Sequence, residues 1–246
     1  MTGVSTIPVV LLHGVGLDSS MWTPVREALG RESVALDLPG HGGQPPLTQP
    51  VTLAEMADGV LARLPERSHL VGFSLGALVA QHIAAFHPER VETLTCVSSV
   101  CRRTEAESRA VEDRLAVAEA DFAASTEASI ERWYAGTTVP EALVEDTRRV
   151  LQANDPESFL HAYRVFARGD AAIAPELGHM GAPTLALTGE LDPGSTPDMT
   201  RRLAEAIPGA RALIVPGARH MLPVQDPQAL VLALNEFIHD TEGAVA

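Results

Sequence analysis

Three residues of this 246-residue chain have the types and spacing of a nucleophile, a base and an orienting acid: Ser74, His220 and Asp192. Ser74 lies in Gly72-Phe73-Ser74-Leu75-Gly76, where a continuous apolar run from His69 to Gly72 gives way to apolar residues at helical spacing. A G-x-S-x-G at a strand-to-helix junction forces a sharp, strained turn that lifts the serine hydroxyl clear of a sheet. Glycine at 72 and 76 fits that turn, because a side chain there would meet the turn itself or the neighbouring strand. A serine hydroxyl is a weak nucleophile at its own pKa and needs a histidine base that a carboxylate orients. In this arrangement the acid and then the histidine follow the serine, each just after a strand. The run "PTLALTG" followed by "ELDPGS" offers Asp192, with Glu190 as the weaker candidate, and "ALIVPG" followed by "ARHM" offers His220.

The helix that starts at Leu75 turns its free amides and positive dipole end toward Ser74, which suits an oxyanion forming there. A second amide is expected from Val15, in the loop "HGVG" that follows the first strand, with His13 shaping that loop. The other histidines have plainer explanations. His41 braces the loop "DLPGHG", and His69, His82, His87, His161, His179 and His239 sit in or beside regular elements without ligand spacing. No H-E-x-x-H, C-x-x-C or phosphate-binding glycine loop occurs, so no metal and no cofactor is expected.

The elements that must hold these residues alternate. Val9 to His13, Ser33 to Leu36, His69 to Gly72 and Val91 to Val97 read as strands apolar on both faces, and Met21 to Leu29, Leu53 to Leu64 and Leu75 to His87 as helices between them. That alternation predicts a parallel sheet covered by helices. From Arg102 to Leu177 the strands stop and charged helical segments take over. At Pro183 the alternation returns with strands Thr184 to Leu187 and Ala212 to Val215 and helices Met199 to Ile207 and Gln228 to His239. One sheet split by a helical insertion is the expectation: a core of residues 1–101 and 178–246, and a cap of 102–177.

Composition limits the partners. A net charge of -14, with no run of more than two basic residues, argues against nucleic acid. No stretch approaches the roughly 20 apolar residues of a membrane span, and no signal peptide is read at Val9 to Leu12, so a cytoplasmic protein is expected. Cys96 and Cys101 are expected as free thiols without a chemical role.

The stretches "LLHGVGLDSSMW", "LDLPGHG", "VGFSLGALVAQHIAAFHPERV", "GELDP" and "RHMLPVQDP" together resemble the α/β-hydrolase fold over nearly the whole chain outside the insertion. The resemblance implies Ser74 as nucleophile, Asp192 as acid, His220 as base, and a helical cap over the site. One departure is visible: members usually open with an antiparallel strand pair before the "HG" strand, and few residues precede Val9 here, which predicts six strands, all parallel. In the cap, "ASIERWYAGTTVPEALVED" and "LQANDPESFLHAYRVFARGD" look like the 3-oxoadipate enol-lactonase group. An enol-lactone with a free carboxylate needs a cation and an apolar wall, for which Arg132 and Trp133 are the candidates, against a solvated Arg132 and a Trp133 that only packs helices. The expected partner is a small ester or lactone. The stretches "TLAEMADGVL" and "HPERV" look equally like the pimeloyl-carrier-protein methyl ester hydrolases, and a carbon-carbon bond hydrolase or a non-catalytic small-molecule receptor of the same fold are the further alternatives. A haloalkane dehalogenase is disfavoured, since it needs a carboxylate where Ser74 stands.

Overall fold

The structure is a computed structural model that describes residues 7–244. In chain order the elements are β1 (Val9–Leu12), α1 (Thr23–Leu29), β2 (Ser33–Leu36), α2 (Leu53–Leu61), β3 (Ser68–Phe73), α3 (Leu75–Phe86) and β4 (Val91–Val97). Then come α4 (Glu105–Ala120), α5 (Phe122–Tyr134), α6 (Glu141–Gln152) and α7 (Pro156–Ile173). Last are β5 (Thr184–Gly189), α8 (Pro197–Ala206), β6 (Arg211–Val215), α9 (Leu222–Gln225) and α10 (Pro227–Ala244).

The six strands form one sheet in the order β2-β1-β3-β4-β5-β6, and every pairing is parallel. Successive strand residues point to opposite faces, so a strand apolar at every position feeds two cores. Val10, Leu12, Leu70, Leu94 and Cys96 pack on one side with α2, α3 and α8. Val9, Leu11, Val71, Phe73, Leu185 and Leu187 pack on the other with α1 and α10. All strands run the same way, so the loops that leave their C-terminal ends gather along one edge, the usual place for a site in such a sheet.

Several boundaries differ from the sequence expectation. Residues 19–22 form a 3₁₀ turn capped by Asp18, and α1 starts only at Thr23 because Pro24 fits the first turn of a helix. The final helix runs past His239 to Ala244, and the short α9 precedes it.

Where the strands stop, α4 to α7 follow. Thr104 and Glu107 form a capping box at α4, and Asp121 and Asp155 cap α5 and α7. These helices have no core of their own. Val111, Leu115, Ala162 and Phe166 join the cluster of α2 and α3, while Ile130, Trp133, Val144 and Leu151 join that of α1 and α10. The buried Arg103 fastens the entry to α4 onto α7: its guanidinium is 2.6 Å from Asp170, donates to the Phe166 and Ala167 carbonyls, and lies 4.8 Å over the Phe166 ring.

Two close backbone approaches fall at the glycines around Ser74. A Cβ on Gly72 would overlap the Gly76 carbonyl, and a Cβ on Gly76 would stand 2.5 Å from the Leu12 and His13 carbonyl oxygens. Backbone on both sides leaves nothing soft to move. Gly76→Ala is therefore expected to lose about 2–3 kcal/mol, seen as a thermal midpoint lowered by roughly 5–10 °C. Gly178→Ala, with nothing within 4 Å of the new methyl, should leave the midpoint within about 2 °C.

Candidate active site

Ser74 is the residue between β3 and α3, and its backbone is left-handed at φ 54° and ψ -113°. That conformation costs a residue with a Cβ about 1–3 kcal/mol and persists only where its surroundings impose it. Here the Ser74 N–H donates to the Val97 carbonyl at 2.9 Å, and the two close-approach glycines leave the chain no other path. The side chain thereby reaches a cavity that it lines together with Val15, Arg132, Trp133 and His220.

Asp192 and His220 meet beside it. A Cβ on Gly189 would overlap the Ala218 carbonyl, and the Glu190 and Leu191 N–H groups donate to Val215 and Ala218, so the loops after β5 and β6 run in contact. That contact sets His220 Nδ1 2.7 Å from Asp192 Oδ2. The other carboxylate oxygen accepts from the Gly194 and Ser195 N–H groups, each at 2.9 Å. Burial pushes the Asp192 carboxyl up, but His220 and these two amides outweigh it and hold it below the usual carboxylate range. With Asp192 ionised, Nδ1 carries the proton and Nε2 is the free basic nitrogen. Glu190, the weaker sequence candidate, instead accepts from the Gly217 N–H at 2.9 Å and only braces the loop.

The imidazole is held between rings. Phe73 lies 5.0 Å from it on one side, and Trp133, reaching in from α5, stacks at 5.5 Å with 29° between the planes. Ser98, also left-handed at φ 48°, places its hydroxyl 3.3 Å from the His220 carbonyl and 3.3 Å from the Thr188 hydroxyl. Ser74 and His220 line the same cavity, but no hydrogen bond joins the Ser74 hydroxyl to the imidazole among the described residues.

Val15 lies in the loop after β1, and Leu75 opens α3. Among the described residues neither backbone N–H donates to a protein acceptor, and Val15 lines the cavity with Ser74. The Val15 loop is fixed from below by His13. Its Nε2 accepts from the Leu38 N–H at 2.9 Å, so Nδ1 must donate to the Gly14 carbonyl at 2.7 Å. Burial, with the nearby His41 adding to it, brings the His13 pKa down to about 3. From above, Asn154 donates to the Gly16 carbonyl at 2.7 Å, and Phe159 and Leu151 fill the space a side chain at Gly16 would need.

Arg132 and Trp133 both line the cavity, so Trp133 packs helices and faces the site at once. Sequence reasoning missed Arg114 of α4, which also lines it, and Ser98, Thr188 and Asn154. Ser98 carried one usable signal, its place directly after a strand end. Arg114 carried none, because it sits among charges on a helix that reads as solvated. Cys96 and Cys101 are buried free thiols; burial raises both, Cys101 to about 11, which leaves neither nucleophilic.

A parallel sheet that sets an elbow serine beside a histidine–aspartate pair defines a hydrolase scaffold. The chain belongs to the alpha/beta hydrolase family, whose model matches residues 9–234. It is 28% identical over 240 residues to the (E)-2-((N-methylformamido)methylene)succinate hydrolase of Acinetobacter baylyi, covering 95% of this chain and 91% of that protein. It is 33% identical over 245 residues to the pimeloyl-[acyl-carrier protein] methyl ester esterase of Edwardsiella ictaluri, covering 96% and 94%. Among solved structures, the enol-lactonase from Burkholderia xenovorans shares the fold with a TM-score of 0.85 at 24% identity, over 97% of this chain and 94% of that one. No described helix is long and apolar enough to cross a membrane.

Two outcomes test this geometry. Asp192→Asn keeps the shape but cannot hold the proton on Nδ1, so turnover of a p-nitrophenyl ester is expected to fall about 10⁴-fold with the thermal midpoint little changed. His13 gains a proton in the unfolded chain near pH 6.5 but in the folded protein only near pH 3. Its contribution is therefore complete above pH 6.5 and lost as pH falls toward 3. Urea unfolding of His13→Asn between those limits should show a pH slope smaller by up to about 1.4 kcal/mol per unit.

Proposed function

We propose that the protein hydrolyses a small carboxylate-bearing ester or lactone through an acyl-enzyme on Ser74. His220 takes the Ser74 proton as Oγ attacks the carbonyl carbon, and the Val15 and Leu75 amides hold the oxyanion. Collapse of the tetrahedral species expels the alkoxide or, from an enol-lactone, the enolate, which takes the proton from His220. Water then gives a proton to His220 and attacks the acyl carbonyl, and the proton returns to Ser74 as the acid leaves. Asp192 stays ionised throughout and stabilises the imidazolium. The helices of residues 102–177 act as the cap that closes over the substrate.

The observation that carries the reading is Arg132. It lines the cavity of Ser74, donates to the Ser129 hydroxyl at 2.9 Å, and makes no ion pair with a carboxylate among the described residues. A guanidinium kept free beside a nucleophile is a receptor for a substrate carboxylate. The resemblance of the cap to the enol-lactonase group makes 3-oxoadipate enol-lactone the substrate to try.

The methyl ester of a pimeloyl carrier protein is the second reading, favoured by the 33% identity to such an esterase. An acidic carrier would need free cations on the outer face of the cap. Arg109, Arg148, Arg149, Arg164 and Arg168 of α4 to α7 are each engaged by a carboxylate, which weighs against it.

Turnover of the lactone and of p-nitrophenyl acetate, by wild type and Ser74→Ala, tests the proposal. The expected kcat/KM on the lactone is above about 10⁵ M⁻¹s⁻¹, well over the ester, and about 10⁴-fold lower in the variant. Serine-dependent turnover of the ester alone would discard the lactone. Activity retained in Ser74→Ala would discard the serine mechanism.

A further inference from the structure

Of the seven arginines on α4 to α7, five form ion pairs with carboxylates, and the two that form none among the described residues, Arg114 and Arg132, both line the cavity above Ser74. The chain has 32 acidic residues against 18 basic ones, so a carboxylate is the commonest neighbour an arginine could find. Two guanidiniums kept clear of all of them share one small space. Burial, with Arg114 adding to it, lowers the Arg132 pKa from the usual arginine value, so the two cations disfavour each other. Such an arrangement favours an anion between them, because a partly desolvated cation such as Arg132 needs a partner.

The surroundings suit a short polar chain. The Thr126 and Ser129 hydroxyls stand on the same helix as Arg132, and Phe159, Tyr163 and Phe166 of α7 supply an aromatic wall. Ser195, buried beside His220, has a hydroxyl with no protein partner, which leaves one more donor for a bound anion. Arg132 is adjacent to the tryptophan stacked on His220 and feels the charge of Asp192, which puts it at the reacting end.

We infer that the cavity is built for a substrate with two free carboxylates besides the carbonyl under attack, one held by Arg132 and the other by Arg114. The inference rests on the reading above and narrows it, since a monoanionic lactone would engage only one of the two guanidiniums. Arg114 is then the residue that separates dianionic from monoanionic substrates.

Calorimetric titration tests this without turnover, using succinate and butyrate, which have the same number of carbons and differ by one carboxylate. Wild type is expected to bind succinate at least about tenfold more tightly, the effect of one added charge-assisted pair. Arg114→Ala should remove most of that difference. Arg109→Ala, an exposed cation on the same helix paired with Glu105, should change neither affinity nor esterase activity. Thermal midpoints check folding, and Arg114→Gln serves if the alanine variant does not fold. Equal binding of the two acids by wild type overturns the inference, as does an equal loss in the Arg109 and Arg114 variants, which would mark a general field effect. Because binding is read directly, either result leaves the Ser74 mechanism standing, and failure of that mechanism leaves the titration valid.

Discussion

The left-handed turn at Ser74 is the constraint on which the other parts of the site depend. A residue with a Cβ leaves that conformation unless the chain on both sides forbids it, and here backbone atoms of β1, β3 and α3 come so near that hydrogen alone fits at Gly72 and Gly76. The same approach brings the N-terminal end of α3 and the loop after β1 against the serine. The turn therefore places a serine hydroxyl and two amides unengaged among the described residues at once, and the strain at Ser74 is held by packing, not by a hydrogen bond of its own side chain.

Charge is then distributed around that turn in two ways. Below it, His13 is buried, neutral and fully used by two backbone hydrogen bonds, so it acts as a strut. Beside it, the Asp192–His220 pair is buried as a unit whose carboxylate has two amides on its other oxygen, leaving one imidazole nitrogen for proton transfer. Above it, α5 packs a ring on that imidazole and, one residue earlier, brings a guanidinium to the cavity. Trp133 and Arg132 are neighbours in sequence, so the helix that packs a ring on the His220 imidazole also brings a guanidinium to the same cavity.

Much of this was legible in the sequence for a physical reason. Strands buried on both faces must be apolar throughout, and a parallel sheet puts its loops at one edge, so Ser74, Asp192 and His220 each announce themselves by following an apolar run. The sequence favours Asp192 over Glu190, and the loop contacts show why: Asp192 meets the His220 ring while Glu190 accepts from the Gly217 N–H. The cap reads in the sequence as helices over the site with Arg132 and Trp133 facing it, but its other lining residues do not show there. Arg114 and Asn154 sit in charged or polar surroundings like any solvated face, and only the way α4 to α7 fold back on the sheet turns them inward. Four helices without a core of their own leave no separate hydrophobic signature from which that packing could be derived.

The central claim is that Ser74 forms the covalent intermediate with His220 as its base. Intact-protein mass and peptide mapping after rapid acid quench, during turnover of p-nitrophenyl acetate, measures it most directly. The account predicts an acetyl adduct on the peptide that contains Ser74, absent in His220→Ala. An adduct on another residue, or an undiminished adduct in the His220 variant, would contradict it.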